Sequence, residues 1–285
     1  MDAPTEVPGA GRRGAGPGPS VVVVGLGPIG AGVGAALAER GARVFGVEPD
    51  SERAAAWAAE TGMPVAGRLD EGPDRDDVDV VIVAVRLAAQ VWSVLDALPV
   101  GDGPVLVLTT LALADARALA GSPHRIVEAP VSGGPRGARD GALTVFLHAR
   151  TPLTPAAERV VEDIAGTVFR FDAPGLPAVA KLTNNTLAGY IALAVAGMAD
   201  VAAAAGLDHA GFLAVVAASS GRSWMGDHFA GFRQDLLFKD VELLQQDVPE
   251  LPVIHMAGVA GRAAEIESAR RRMAGPAVEA APAAT

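Results

Sequence analysis

Cysteine is absent from this sequence, and aromatic residues make up only 4% of it. Without thiols the chain has no disulfides and no thiolate-bound metal, which fits a reducing compartment, so we expect a cytoplasmic protein. The five histidines do not show the spacing of metal ligands either. We therefore expect no metal site.

Charge is also scarce, because only 20% of the residues are charged. The formal net charge is −10 and no basic cluster dominates, which argues against nucleic acid as a partner. A small anionic substrate would have to be held by a few local Arg, Lys or backbone N–H groups. Every apolar run of about 18 residues has a polar interruption, so we expect no membrane-spanning segment.

The chain is long and rich in apolar residues. It contains 285 residues, half of them hydrophobic, which is enough for two domains and a large core. Residues 1–19 are rich in Pro, Gly and Ala and lack the apolar centre of a signal peptide, and residues 275–285 have a similar Ala/Pro character. We expect both ends to be disordered tails.

Four valines at residues 21–24 are typical of a strand buried on both faces, and they lead directly into a G-x-G-x-x-G turn and a helix. In this dinucleotide-binding fingerprint Gly25 permits the tight turn, Gly27 lets the backbone approach a pyrophosphate, and Gly30 lets the helix pack closely on the strand. A tight turn without a ligand is the alternative. The predicted cofactor contacts are Gly25, Leu26, Gly27, Pro28, Ile29 and Gly30.

Glu48 ends the second predicted strand, at residues 43–47, and lies 23 positions after Gly25. This is close to the spacing at which an acid bonds the adenosine ribose hydroxyls, and a carboxylate there would repel a 2′-phosphate. The cofactor is therefore predicted to be NAD or NADP, with NAD favoured. Arg53 lies one helical turn further on and would be able to reach a phosphate.

Strands predicted at residues 78–85, 104–108, 126–131 and 143–148 alternate with helices, which indicates a doubly wound, mostly parallel sheet. Ligands of such sheets bind beyond the carboxyl ends of the strands. Val85, Arg86 and Thr109 fall at such ends, so we expect them to border the cofactor cleft.

A glycine-rich segment follows the strand predicted at 126–131 and is interpreted as a loop from Ser132 to Ala138. The N–H groups of Gly133 and Gly134, with the hydroxyl of Ser132, would be able to cradle a carboxylate without a bulky side chain. The alternative is a flexible turn before the next strand.

Strand signals end near residue 175, where the pattern breaks at two prolines. The sequence thus predicts an α/β Rossmann domain over residues 20–175 and an all-helical domain over 176–274, the latter beginning with one long Ala-rich helix at 178–205. Lys181 and Asn185 are four positions apart and share one face of that helix. Lys181 is a candidate acid/base if its pKa is lowered, and a solvated surface lysine otherwise.

Four segments together resemble the β-hydroxyacid dehydrogenase family, which is related to imine reductases and to 6-phosphogluconate dehydrogenase. The first is the glycine-rich turn from Gly25 to Gly30, and the second runs from Ala129 through Ser132, Gly133 and Gly134 to Gly141. The third is Lys181-Leu182-Thr183-Asn184-Asn185, and the fourth is Lys239-Asp240. They occur in the family's order and spacing between about residues 20 and 245.

The resemblance implies a nicotinamide-dependent oxidoreductase acting on a small β-hydroxy acid, with its active site between the two domains. It implies that Lys181 is the catalytic acid/base, that Asn185 binds the substrate, and that Ser132, Gly133 and Gly134 hold the substrate carboxylate. Lys239 would lie near the nicotinamide and the substrate.

Three departures from the family pattern concern the nicotinamide pocket: Arg86 where a proline is common, Val107-Leu108 before Thr109 without the usual acid, and Ile29 in place of Met. Two alternatives stay open. One is an imine reductase of the same architecture, which usually has Asp or Tyr where Lys181 stands, and the other is a non-catalytic cofactor-binding protein.

The apolar stretch at residues 188–205 is too long and uniform to be half exposed. We expect it to be buried between domains or between subunits, and the resemblance likewise implies a homodimer or homotetramer formed through the helical domain.

Overall fold

The computed structural model describes residues 5–8 and 18–251, apart from residues 230, 233 and 249. The chain divides into two compact units, Met1–Pro249 and Glu250–Thr285, and the fold and the site described below belong to the first. The predicted tail at 275–285 lies outside the described residues, as do residues 1–4 and 9–17. No result bears on the predicted domain boundary near residue 175, which stays a prediction.

One part of the predicted N-terminal tail is a strand, β1 (Thr5–Pro8), which pairs antiparallel with a later strand at Ala165–Arg170. The expectation of disorder is therefore wrong for these four residues. The physical reason is long-range: an unpaired edge strand offers free N–H and C=O groups, and β1 pairs with them.

The first half of the chain begins with alternating strands and helices. Short 3₁₀ turns occur at Leu69–Glu71, Arg75–Asp77 and Leu119–Gly121. The strands and helices are β2 (Ser20–Val24), α1 (Pro28–Glu39), β3 (Arg43–Val47), α2 (Ser51–Thr61), β4 (Val65–Ala66), β5 (Val80–Val83), α3 (Ala88–Ala97), β6 (Val105–Val107), α4 (Leu113–Ala118) and β7 (Ile126–Glu128).

The second half closes the sheet and then becomes helical. Its elements are β8 (Val131–Ser132), α5 (Gly134–Asp140), β9 (Leu143–Ala149), α6 (Pro155–Ile164), β10 (Ala165–Arg170), α7 (Leu176–Ala204), α8 (His209–Ala217), α9 (Trp224–Asp227) and α10 (Gln234–Asp247).

The described strands form a mostly parallel sheet in the order β1-β10-β9-β7-β6-β5-β2-β3-β4, with β8 paired to β9. Strands β7 to β4 of this order run parallel, whereas β9 lies antiparallel to β7. The chain proceeds from β2 to β4 in one direction and from β5 to β7 in the other. The order therefore reverses between β2 and β5, where doubly wound sheets bind ligands, and the predicted α/β fold is confirmed.

Two expectations for residues 126–138 are wrong. The single strand predicted at 126–131 is two strands, because the chain leaves β7 after Glu128 and Val131 pairs with Val145 of β9 instead. Pro130 has no N–H to offer to a ladder, which favours a break there. The predicted loop becomes helix α5 at Gly134, and Gly133 caps its start with a left-handed φ of +121°.

Helix α7 is the longest described element, with 29 residues. By length and composition it is apolar enough to cross a membrane, with a mean hydropathy of 1.7 over its most apolar 18 residues, of which 22% are buried. Leu187, Leu193, Met198 and Val201 are each more than half exposed. The residues that the structure describes therefore leave this face of α7 exposed, and its burial between domains or between subunits stays a prediction.

Candidate active site

The glycine-rich turn connects β2 to α1 at the point where the strand order reverses. Gly25 has a left-handed φ of +90°, and its N–H donates to Val47 O of the neighbouring strand. A Cβ on Gly30 would lie 1.9 Å from Gly25 O, whereas one on Gly27 would meet nothing within 4 Å. The first and third glycines therefore fit the chain to itself, and the second faces open space.

Glu48 follows β3 and is buried beside this turn. Its Oε2 accepts a 2.9 Å hydrogen bond from Leu26 N, and its Oε1 accepts from Asp50 N at 3.0 Å and from Arg53 Nη2 at 2.8 Å. Burial would raise the pKa of Glu48, but the hydrogen bonds from Arg53, Asp50 and Leu26 together lower it. The carboxylate thus stays ionised and holds the backbone of the glycine-rich turn.

Strand β5 lies between β2 and β6 in the sheet, so its end lies beside the strand that leads into the glycine-rich turn. That Val85, Arg86 and Thr109 border the cofactor cleft stays a prediction. Thr109 is buried and its hydroxyl donates to Val85 O at 2.8 Å, which ties the two strand ends together. Arg86 is exposed, and its guanidinium lies 4.0 Å from Asp235 of α10.

The predicted carboxylate cradle lies where β8 passes into α5. Ser132 pairs with Thr144 of β9, and Gly133 and Gly134 both have left-handed φ values. A side chain on Gly134 would meet nothing within 4 Å, so this backbone is open. Helix α7 also packs against β9, so β9 is flanked by both the cradle and the helix that carries Lys181.

Lys181 is buried on α7, with 6% of its surface exposed, so the snorkelling alternative is excluded. Its Nζ donates to Asn185 Oδ1 at 3.3 Å, one helical turn further on. Burial lowers the pKa of Lys181 to about 8, Asp240 opposes that change, and Lys239 adds to it. An amine with this pKa exchanges a proton near neutral pH.

Asp240 is the residue of this group to which the sequence interpretation gave no role. It is buried on α10, its Oδ2 accepts a 2.7 Å hydrogen bond from Asn185 Nδ2, and Lys239 Nζ forms an ion pair with its Oδ1 at 2.7 Å. A signal was present, because Asp240 precedes the buried Leu244 by four positions and so shares the inward face of α10.

Helix α10 contacts the first half of the chain at two points and α7 at a third. Its first turn brings Asp235 to Arg86, its middle presents Lys239 and Asp240 to α7, and Asp247 near its end accepts a hydrogen bond from Leu113 N of α4. Lys181, Asn185, Lys239 and Asp240 therefore form one group, which α10 connects to Arg86 after β5 and to the start of α4. The structure gives no direct contact between this group and Ser132 or the glycine-rich turn.

The residues present fit a nicotinamide dinucleotide. The open space over Gly27, the free N–H groups at the start of α1 and the buried acceptor Glu48 at the next strand end are the features that such a cofactor requires.

Comparison with known proteins agrees with this geometry. Residues 20–171 match the family model described as the NAD binding domain of 6-phosphogluconate dehydrogenase. L-threonate dehydrogenase of Escherichia coli strain K12 is 33% identical over 247 residues, which cover 79% of this chain and 80% of that protein.

Two solved structures are similar in fold. The 3-hydroxyisobutyrate dehydrogenase of Mycobacterium tuberculosis with L-serine has a TM-score of 0.70 and 26% identity, covering 90% of this chain and 94% of its own. An imine reductase of Streptomyces aurantiacus has a TM-score of 0.61 and 23% identity, covering 88% and 87%, and this likeness shows the fold alone. The chain belongs to the NAD(P)-dependent hydroxyacid dehydrogenases, whose nucleotide domain is that of 6-phosphogluconate dehydrogenase.

Proposed function

We propose that this enzyme oxidises a small β-hydroxy or polyhydroxy acid, or runs the reverse reduction, with Lys181 as the acid/base. The observation that carries the proposal is the buried Lys181 amine, held by Asn185 at 3.3 Å, with its pKa lowered to about 8. The named relatives, L-threonate and 3-hydroxyisobutyrate dehydrogenases, support a small hydroxy acid as the substrate class.

In the oxidative direction the neutral Lys181 amine takes the proton of the substrate hydroxyl. Asn185 Oδ1 already accepts from Lys181 and from Asn184, and one Nδ2 hydrogen is donated to Asp240. The second Nδ2 hydrogen is therefore the group of Asn185 that is left for a substrate oxygen. The nicotinamide, when bound, supplies the acceptor for the hydride.

The substrate carboxylate is assigned to Ser132, Gly133 and Gly134. The support is the open backbone at Gly134 and the hydroxyl donor beside it. Lys239 adds positive charge near Lys181, although its ion pair with Asp240 offsets part of that charge. Holding the carboxylate fixes the distance of the reacting carbon from Lys181.

For the cofactor we propose NAD. Glu48 and Asp50 both bind the guanidinium of Arg53, at 2.8 and 3.2 Å, so two carboxylates face one cation at the end of β3. The net negative charge of this group disfavours a 2′-phosphate. Oε2 of Glu48 accepts one hydrogen bond and has capacity for a second, from a ribose hydroxyl.

We also propose that the enzyme is a cytoplasmic homodimer or homotetramer. The support is the exposed apolar face of α7, which includes Leu193, Met198 and Val201, because neighbouring exposed apolar side chains mark interaction surfaces. Light scattering should give at least twice the 28.7 kDa chain mass. A monomer at micromolar concentration would refute this part.

The function is tested with a panel of L-threonate, 3-hydroxyisobutyrate and L-serine, each with NAD and with NADP, followed by absorbance of the reduced nicotinamide. Turnover of at least one hydroxy acid is expected. A set of cyclic imines with reduced cofactor is the matched control, because turnover of imines alone would favour the reductase alternative.

A further inference from the structure

Glu128 is a buried acid that the proposed reaction does not use. It ends β7, is 5% exposed, and has both carboxylate oxygens 3.0 Å from the backbone N of Gly175. Among the described residues this N–H is its hydrogen-bond partner, and no cation pairs with it. Burying a carboxylate that has one N–H as its hydrogen-bond partner costs free energy of folding, which points to a functional role for Glu128.

Gly175 is the N-cap of α7, and its conformation leaves little freedom there. Its φ is +81°, and a Cβ would lie 2.9 Å from Arg117 Cγ of α4. Lys181 follows six residues later, which is roughly 9 Å along a helix axis. A shift of this cap therefore moves the amine of Lys181 with the helix.

The same acid leads into the assigned carboxylate cradle. Glu128 is followed by Ala129, Pro130 and then β8, which ends at Ser132. The Glu128 side chain thus connects the start of α7 to the end of β7, the strand that leads into the substrate-binding segment, although Glu128 and Gly175 are 47 positions apart.

We propose that Glu128 is a positioning residue. It holds the first turn of α7, and therefore Lys181, at a fixed position relative to the segment at Ser132–Gly134. The inference rests on the proposed role of Lys181. An ionised carboxylate accepts a stronger hydrogen bond than a neutral one, and it also suits the positive end of a long helix. The hydrogen bond from Gly175 N to Glu128 is therefore stronger when Glu128 is charged.

The surroundings of Glu128 bring its ionisation close to neutral pH. Burial raises the pKa of Glu128 to about 7, and the hydrogen bond from Gly175 acts against that rise. His148 lies directly opposite on β9, buried, with Nδ1 bonded to Phe171 O and Nε2 without a hydrogen-bond partner among the described residues. Arg117 of α4 stands beside Gly175. The other residues that line the small cavity at Glu128 come from β6, α4, α7 and the segments between elements, and none of them carries an ionisable group.

The first test needs no turnover. In the wild-type enzyme the amide proton resonance of Gly175 should titrate with a midpoint near pH 7, and in Glu128→Gln it should stay constant. Asp163→Asn is the matched control, because burial also raises the pKa of Asp163, on the distant helix α6, and the wild-type titration should persist in it. A Gly175 resonance that is flat in the wild type, or that still titrates in Glu128→Gln, overturns the proposal.

The second test uses the substrate found by the panel. Glu128→Gln should lower kcat about tenfold, as the loss of one charge-assisted hydrogen bond allows, and should leave KM for NAD unchanged. The wild-type reductive rate should decline below about pH 7, as Glu128 is protonated, and Glu128→Gln should lack this decline. An unchanged profile overturns the proposal. Failure of the Lys181 mechanism is seen separately, as retained turnover in Lys181→Ala alongside an intact Gly175 titration.

Discussion

The side-chain amide of Asn185 donates a 2.7 Å hydrogen bond to the buried carboxylate of Asp240, and so links α7 to α10. The same amide accepts from Lys181 on its oxygen. The contact to Asp240 thus orients the Asn185 amide so that its oxygen faces Lys181. The negative charge of Asp240 also raises the pKa of Lys181.

Asp240→Asn tests that electrostatic role. Asparagine still accepts from Asn185, but the negative charge that raises the pKa of Lys181 is gone, so this pKa should fall below its wild-type value. The limb of the oxidative pH profile that rises through about pH 8 should then move to lower pH. Glu242→Gln, which removes an exposed charge from the same helix, should leave the limb in place.

The pH dependence of the wild type has opposite signs in the two directions. Oxidation needs the neutral amine of Lys181, so its rate should rise as pH increases through about 8. Reduction needs the ammonium form, so its rate should fall over the same range. Initial rates in both directions at constant ionic strength measure this, and parallel profiles would refute the assignment.

Gly27→Ala separates cofactor binding from folding. A Cβ at this position meets no protein atom within 4 Å, so the melting temperature should stay within about 2 °C of wild type. Nucleotide binding should weaken at least about tenfold, because the methyl group occupies the approach to the pyrophosphate. Gly121→Ala, which also points into open space, should alter neither quantity. Calorimetric titration with NAD provides the affinity.

Glu48→Gln tests the preference for NAD. Removing this carboxylate takes one of two anionic partners from Arg53, which then becomes available to a phosphate. The ratio of kcat/KM for NADP to that for NAD should rise about tenfold. Glu52→Gln neutralises an exposed neighbour on α2 and serves as the control. An unchanged ratio in Glu48→Gln would show that Glu48 only orders the glycine-rich turn.

Glu128 should make stability depend on pH. Its pKa is raised from 4.5 to about 7, so the stabilisation from the protonated carboxyl is complete below pH 4.5 and is lost as pH rises through 7. The loss is on the order of 3 kcal/mol. Urea unfolding at pH 5 and pH 8 should show a smaller difference in Glu128→Gln than in wild type. The charged form thus costs stability while it accepts the stronger hydrogen bond at Gly175.

Local patterns were enough to predict most of the parallel core and the glycine-rich turn. The valines of β2 and the acid after β3 have the expected positions because each is set by nearby residues. The helix that carries Lys181 and Asn185 was also predicted. The two residues share one face of it because they are four positions apart.

Long-range pairing explains what the sequence did not show. Strand β1 depends on an edge more than 150 residues away, and the break before β8 depends on pairing with β9. The roles of Glu128 and Asp240 depend on partners 47 and 55 positions distant. The spacing of Asp240 from Leu244 indicates an inward-facing position, but no local pattern identifies the partner of either acid.

The most direct test of the central claim is the turnover of Lys181→Ala with the best substrate of the panel. The account predicts a loss of about 10²–10⁴-fold in kcat, unchanged NAD affinity and partial rescue by added methylamine. Full turnover in a variant that still binds NAD would contradict it.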